Sequence, residues 1–412
     1  MAIYGLLGKT LGHSYSEIIH KKLGNHAYCL MQLTPDELRD FFLNKRFTAV
    51  NVTIPYKTDA LHLCDFVDDE ARSIGSVNTV VNKEGVLYGY NTDIFGFSYM
   101  LSRAGISLLN QKVLILGTGG TSLTAHAAAK KENAREIITV SRSGSVNYEN
   151  IYEHKDADVI INTTPIGMYP NNGQSLLELS SFPKLSGVVD VIYNPSKTKL
   201  LSDAEALGLK TAGGLSMLVA QAVRADELFF GRIYENRDEI IEKILFFCES
   251  MTQNIVLIGM PGSGKSSIGK LLAEKSGRPF IDSDLYLEAS FGRKIKDIIP
   301  EAGEEAFRRM ETEVIRTISK ESGHIIAVGG GAVLKPENRV LLKQNSRVIY
   351  IKRPLSALET KGRPLSQGGM EKLLSLYEER APIYEQLSDD VFVNDRRVCD
   401  CADAIFKKYI KE

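Results

Sequence analysis

Short apolar runs that end in glycine punctuate this chain, and two of them share one form. KVLILGTGGTS (112–122) and NIVLIGMPGSGKSS (254–267) each pass from an apolar run through a glycine-rich turn into a helix-forming stretch. That is the opening strand–turn–helix of a parallel α/β sheet. The glycine spacings differ, so the two are not repeats, and two such openings predict two α/β domains. Ahead of the first, FTAVNVTIP and SVNTVVN read as strands, and SEIIHKKLG and PDELRDFFLN as helices. These pieces predict a separate substrate lobe facing the nucleotide-binding lobe across a cleft. EIITVS, after the first turn, reads as the next strand. LSMLVAQAVRADELFFGR and RDEIIEKILFF repeat their apolar residues at helical spacing. A new strand follows at once with no Pro/Gly/Ser-rich linker, which places a domain boundary near Glu249–Gln253. The expected division is 1–250 (substrate lobe 1–93, nucleotide lobe 94–220, returning helices 221–250) and 253–412.

Composition narrows the function classes. Of 412 residues, 43% are apolar and 25% charged, an ordinary globular balance. A net charge of −1 gives no general attraction to nucleic acid or to anionic membranes, so any anionic ligand must be held locally. The five cysteines (Cys29, Cys64, Cys248, Cys399, Cys401) lack zinc-type spacing, and their odd number argues against a disulfide framework. There is no secretory pattern and no apolar run near the ~20 residues a membrane helix needs. The expectation is a cytoplasmic protein with no nucleic-acid or membrane partner; the sequence carries no signal for an oligomeric state.

Candidate chemistry sits on the two turns and near them. Gly117, Gly119 and Gly120, with Thr118 and Thr121, let a backbone approach a pyrophosphate at a helix start, although a merely tight turn would use the same glycines. After the second strand come Ser141-Arg142-Ser143 where an NAD site usually places an acid, so a 2′-phosphate and NADP are favoured. Lys57 after NVTIP and Asp93 closing GYNTD can act as a proton-transfer pair beside a carbonyl if the fold brings them together; taken singly they read as surface charges. GMPGSGKS fits the phosphate loop G-x-x-x-x-G-K-[S/T]. Gly262, Ser263, Gly264 and Ser267 belong to its amide cradle, Lys265 reaches β/γ oxygens, and Ser266 ligates Mg²⁺. Asp282 and Asp284 in PFIDSDLYLE alternate at strand-like spacing, so one can face the metal and the other an acceptor hydroxyl.

The runs GLLGKTLGHSYS, NVTIPYK, GSVNT, NTD, GTGGTS, NTTPIGM, DVIYNP and GGLSMLVAQA, in this order, resemble shikimate dehydrogenase across nearly all of 1–247. GMPGSGKS, PFIDSDLYLE, EEAFRRMETE, AVGGGAVL, GRPLS and LYEERAPIYE resemble shikimate kinase over 253–412. The first resemblance implies an αβ substrate lobe plus a Rossmann NADP lobe, and the second a phosphate-loop domain like nucleoside-monophosphate kinases. Ser14 and Ser16 would then bind the substrate carboxylate, and Thr53, Asn78, Tyr193 and Gln221 would line the same pocket. Lys57 and Asp93 would be the catalytic pair; Thr163, Val191 and Gly214 would join the cofactor site. In the kinase half, Asp284 would orient the acceptor hydroxyl, Arg308 and Arg380 would clamp the carboxylate, and Gly330 and Gly331 would touch the ring. Arg363, in a compact lid, would contact ATP phosphates and support charge on the transferring group.

Together these resemblances imply reduction of 3-dehydroshikimate with NADPH, then phosphorylation of shikimate with ATP and Mg²⁺. Two departures stand out. No second basic residue follows Arg142 in SGSVN, and SALET replaces the arginine that the kinase family commonly carries before RPL, which leaves Arg353, Arg396 or Arg397 for the adenine. The competing readings are a quinate/shikimate dehydrogenase of relaxed NAD/NADP use, and a shikimate sensor without turnover. Against the sensor, the chemistry-bearing Lys57, Asp93, Lys265, Ser266, Asp284 and Arg308 are all present.

Overall fold

The computed structural model describes residues 2–410 apart from His13, Asn171 and 359–368. The chain forms two compact units, 1–194 with 198–248, and 195–197 with 249–412. The helix Arg237–Thr252 leads into the first strand of the second unit with only Gln253 between.

The first unit holds two sheets. One is mixed: β1 (Tyr4–Gly8), β2 (Tyr28–Gln32), β3 (Ala49–Val52), β4 (Phe66–Val67), β5 (Thr79–Lys83) and β6 (Val86–Tyr90), in the order β2-β1-β3-β5-β6-β4. Side chains alternate along β1 as a strand requires. Leu6 enters a core with Tyr28, Ala49 and Phe229, while Leu7 enters the opposite one with Phe42, Val50 and Leu87. Glu84 and Gly85, at φ 54° and 88°, close the β5–β6 hairpin in the doubly left-handed turn that suits strand twist.

The second sheet is all parallel: β7 (Lys112–Leu116), β8 (Glu136–Val140), β9 (Val159–Asn162), β10 (Gly187–Asp190) and β11 (Lys210–Gly213), in the order β11-β10-β9-β7-β8. β7 is buried along its length. Val113 and Ile115 face one core, Leu114 and Leu116 the other, which is why its sequence reads as a continuous apolar run. The chain order reverses at β7, and the glycine turn leaves its C-terminal end there, at the usual ligand crevice of such sheets. Helices Asp93–Ala104 and Gly214–Phe230 pack on each other, and the latter also packs on β3 and β5. That helix is continuous through 220/221, where a border between lobes was expected.

The second unit has one parallel sheet: β12 (Asn254–Ile258), β13 (Phe280–Asp282), β14 (Ile325–Ala327), β15 (Ser346–Lys352) and β16 (Asp390–Val393), in the order β13-β14-β12-β15-β16. Again the central strand is buried on both faces, with Val256 and Ile258 on one side and Ile255 and Leu257 on the other. Among the described residues, no helix is long and apolar enough to cross a membrane.

Candidate active sites

In the first unit Lys57 opens the helix Lys57–Leu63 and Asp93 opens the helix Asp93–Ala104. The fold brings them together: Nζ lies 2.5 Å from Oδ2, with the side chains 14% and 9% exposed. A Cβ on Gly120 would stand 3.9 Å from Lys57 Cδ, so the glycine turn faces this pair across the cleft. Neither residue is a scattered surface charge. A lysine held by a carboxylate, largely out of water, beside a glycine turn can work with it as a proton-transfer pair.

Next to the pair lies a buried amide and hydroxyl cluster. Asn78 accepts from the Thr92 amide at 2.7 Å through Oδ1, and its Nδ2 donates to Thr92 Oγ1 at 3.1 Å. Thr92 Oγ1 also lies 3.2 Å from Gln221 Oε1 and 3.0 Å from Thr79 Oγ1. Asn51 Nδ2 donates to Thr79 at 3.0 Å, and Tyr28 donates to Asn51 Oδ1 at 2.8 Å. His20 stacks on Tyr28 with centroids 4.0 Å apart, and burial pushes its imidazole down to about 3. Sequence reasoning named Asn78 and Gln221 but missed Thr92, Thr79 and Asn51. Thr92 had a signal, its place immediately before Asp93.

The other proposed substrate residues lie outside this cluster. Ser14 Oγ lies 3.1 Å from Ser16 Oγ and accepts the Ser16 amide at 3.3 Å, so it also serves the start of the helix Ser16–Lys22. Thr53 lies beyond the end of β3, where its methyl would meet a Cβ on Gly8 at 2.7 Å. Tyr193 packs on Tyr15 with centroids 5.2 Å apart, and burial pushes its phenol up. Among the described residues, no hydrogen bond joins these four to Asn78 or Gln221.

The cofactor candidates ring the C-terminal edge of the second sheet. Gly117 turns at φ 108°, and a Cβ there would stand 2.8 Å from Thr163 Oγ1, which donates to Leu116 O at 2.7 Å. Around Gly119 nothing stands within 4 Å of a Cβ position, and the helix Gly120–Lys131 carries no acid in its first turn. That open, acid-free helix start fits an anionic pyrophosphate. Thr118 is exposed and Thr121 half-buried on the same turn. Ser141 accepts the Gly144 amide at 3.4 Å, while Arg142 and Ser143 are exposed. Arg142 makes no ion pair among the described residues, and its charge lies near the Tyr148 phenol. A side chain on Gly214 would collide with Val191 O, so only glycine fits there.

Behind Val191, the paired strand ends carry Asn162 and Asp190. Asp190, fully buried, accepts from Thr198 at 2.7 Å, the Ile192 amide at 3.1 Å and Asn162 Nδ2 at 3.1 Å. Burial still outweighs these bonds and pushes its carboxyl up to about 6.

In the second unit, one cavity of about 540 Å³ gathers Lys265, Ser266, Asp282, Asp284, Arg308, Gly330, Gly331 and Arg380. Gly262 and Gly264 turn at φ 85° and 97°, and the helix Lys265–Ser276 again starts without an acid. Lys265 donates to Gly259 O at 2.9 Å and Met260 O at 3.0 Å. Ser267, next on the helix after Ser266, is exposed. Asn394 braces the loop from behind at Ser263 O, 2.8 Å.

Ser266 Oγ donates to Asp282 Oδ2 at 2.6 Å. A hydroxyl and one carboxylate at a phosphate loop fit Mg²⁺, which keeps most of its shell as water and phosphate oxygens. Among the described residues there is no cluster of three or more acid, His or Cys ligands, in keeping with that mode.

The strand-like alternation of Asp282 and Asp284 is a misreading. β13 stops at Asp282, whose Oδ1 accepts the Asp284 and Leu285 amides at 3.1 and 3.4 Å and so caps the helix Ser283–Phe291. An aspartate that can cap overrode the strand period. Asp284 reaches the cavity from the first turn of that helix, and a Cβ on Gly329 would stand 2.8 Å from its Oδ1.

Arg308 is held by Glu311 at 2.8 Å and Glu304 at 3.1 Å, and a Cβ at 331 would press on its guanidinium. Glu311, missed from the sequence although it lies one helical turn from Arg308, is buried. Burial raises its carboxyl against the pull of Arg308. Arg363 lies outside the described residues. Of the adenine candidates, Arg353 donates to Gly262 O at 3.2 Å and so braces the loop, Arg397 pairs with Asp400 at 2.9 Å, and Arg396 is exposed.

Both units have counterparts among known proteins. Residues 6–80 match the family model of the shikimate dehydrogenase substrate binding domain, and residues 261–412 match that of shikimate kinase. A shikimate dehydrogenase (NADP(+)) of Clostridium perfringens is 35% identical over 252 residues, covering 56% of this chain and 93% of that protein. The crystal structure of a chorismate mutase/shikimate 5-dehydrogenase fusion protein from Clostridium acetobutylicum superposes with a TM-score of 0.56 at 34% identity, over 60% of this chain and 97% of that one. Shikimate 5-dehydrogenase from Thermus thermophilus, in complex with NADP(H) and shikimate, gives 0.52 at 30%, over 59% of this chain and all of that one. The chain belongs to the shikimate dehydrogenase family through its first unit and carries a shikimate kinase domain in its second, a bifunctional enzyme of the shikimate pathway.

Proposed function

We propose that the first unit reduces the 3-keto group of 3-dehydroshikimate and that the second phosphorylates the 3-hydroxyl so produced. The observation that carries this reading is the cavity of the second unit. It sets a phosphate loop and a Ser266–Asp282 metal corner beside a carboxylate (Asp284) and two arginines (Arg308, Arg380), the complement of a small hydroxy acid.

In the first unit, NADPH when bound supplies the hydride. The chain supplies the rest. Gly117–Thr121 hold the pyrophosphate, and Ser141–Ser143 with Arg142 meet the 2′-phosphate. Lys57 Nζ delivers a proton to the oxygen that becomes the alkoxide, and Asp93 keeps the ammonium aimed. Asn78, Gln221 and Thr92 grip the ring hydroxyls, and Ser14 and Ser16 the carboxylate, with Thr53 and Tyr193 closing the pocket.

In the second unit, ATP with Mg²⁺ supplies the phosphoryl group. Asp284 orients the acceptor hydroxyl and receives its proton, Lys265 and the loop amides bear the charge on the phosphates, and Arg308 and Arg380 hold the carboxylate. Catalysis here is positioning and charge stabilisation.

A coupled assay tests the reading. Purified chain given 3-dehydroshikimate, NADPH, ATP and Mg²⁺ is expected to yield shikimate 3-phosphate, and shikimate alone when ATP is omitted. No NADPH oxidation, or oxidation with no phosphorylated product, would sink it. Parallel runs with quinate and NADH separate the relaxed-specificity dehydrogenase, and a chain that binds shikimate without turnover would be the sensor.

A further inference from the structure

The helix Gly369–Leu387 carries Arg380, which lines the kinase cavity, and Tyr384 one turn further on. Tyr384 is fully buried, with its ring 5.1 Å from that of Tyr350. Phenylalanine would fill that space as well, and a hydroxyl in a dry core is costly unless it is bonded. This one is bonded: it donates to Gly330 O at 2.5 Å, on the turn that lines the cavity. Arg380, itself 4% exposed, stands one turn before Tyr384 on the same helix. The phenol therefore ties the helix that carries Arg380 to the Gly330–Gly331 turn.

We propose that Tyr384 is a positioning residue for shikimate in the kinase unit, fixing the helix that carries Arg380 relative to the Gly330–Gly331 backbone. The two cavity walls that grip the carboxylate and the ring are then held at one spacing. The proposal rests on the reading of Arg380 as the carboxylate clamp. Tyr384 does not touch the reacting atoms and acts through Gly330 and through the helix it shares with Arg380.

Tyr384→Phe keeps the ring packing and removes only the oxygen. In shikimate-dependent ADP formation, KM for shikimate is expected to rise about tenfold, the scale of leaving one buried acceptor, the Gly330 carbonyl, unpaired. The KM for ATP and NADPH oxidation by the first unit should be unchanged, and kcat should move less than KM. Tyr350→Phe removes a hydroxyl from the same aromatic pair without touching Gly330 and should leave KM for shikimate unaltered. An unchanged KM in Tyr384→Phe, or an equal rise in Tyr350→Phe, overturns the proposal. Arg380→Lys separates the two layers. If it leaves KM for shikimate unchanged, the clamp reading itself falls; if it raises KM while Tyr384→Phe does not, only the positioning role falls.

Discussion

The turns at 117–122 and 259–266 each join a buried parallel strand to a helix with no acid in its first turn, yet they differ in where the cation stands. The second carries its own, Lys265, tucked against Gly259 O and Met260 O inside the loop. The first carries none. The ammonium that faces it is Lys57, delivered from another sheet and held by Asp93. The difference follows the charge that each turn faces. Terminal phosphates gather charge during transfer and need a cation on the loop itself. A pyrophosphate bridge is met by amides and a helix end, and the cation is needed instead where an alkoxide forms.

That contrast can be broken at several points. Lys57→Ala should lower NADPH oxidation with 3-dehydroshikimate by about 10²–10⁴-fold, the usual loss of a general acid, and leave shikimate-dependent ADP formation intact. Loss of both activities would mean that the units do not work independently. Lys265→Ala should do the reverse, costing the kinase about 10²–10³-fold with no change in NADPH oxidation.

Asp190 gives a stability effect. Its carboxyl is raised in the fold from 3.8 to about 6, so the protonated form is the one the fold favours. Its contribution is fully present below the unfolded value and is lost as pH rises through about 6, a change of about 3 kcal/mol. Asp190→Asn stays neutral throughout. In urea unfolding of the first unit, the advantage of wild type over the variant should shrink between pH 4 and pH 7, and a constant difference would refute the burial argument. Smallest is Arg142→Ala, expected to lower the preference for NADPH over NADH in kcat/KM about tenfold, one charge-assisted phosphate contact. An unchanged ratio would move 2′-phosphate recognition off this loop.

Much of this was legible in the sequence because the signals are local. Both glycine turns announce themselves as strand, turn and helix within about a dozen residues, and their buried strands read as apolar runs because both faces are covered. Long helices such as Gly214–Phe230 carry their period openly. Asp284 was placed in a strand because a two-residue alternation looks the same whether it continues or ends in a cap; the choice depended on Asp282 finding the amides beyond it. Asn51 and Glu311 gave little sign, since an amide or a glutamate beside an arginine is ordinary until its partner is known.

By itself, then, the sequence determined the two nucleotide cradles, the loop cation Lys265 and the residue types available for each chemistry, since backbone conformation and helix starts are set by neighbours in the chain. It took tertiary packing to bring Lys57 to Asp93, Gln221 to Thr92 from another helix, and Arg308 and Arg380 into one cavity with Asp284. Those pairings join residues far apart in the chain, and no local preference encodes a distance between two segments that meet only when their sheets and helices pack.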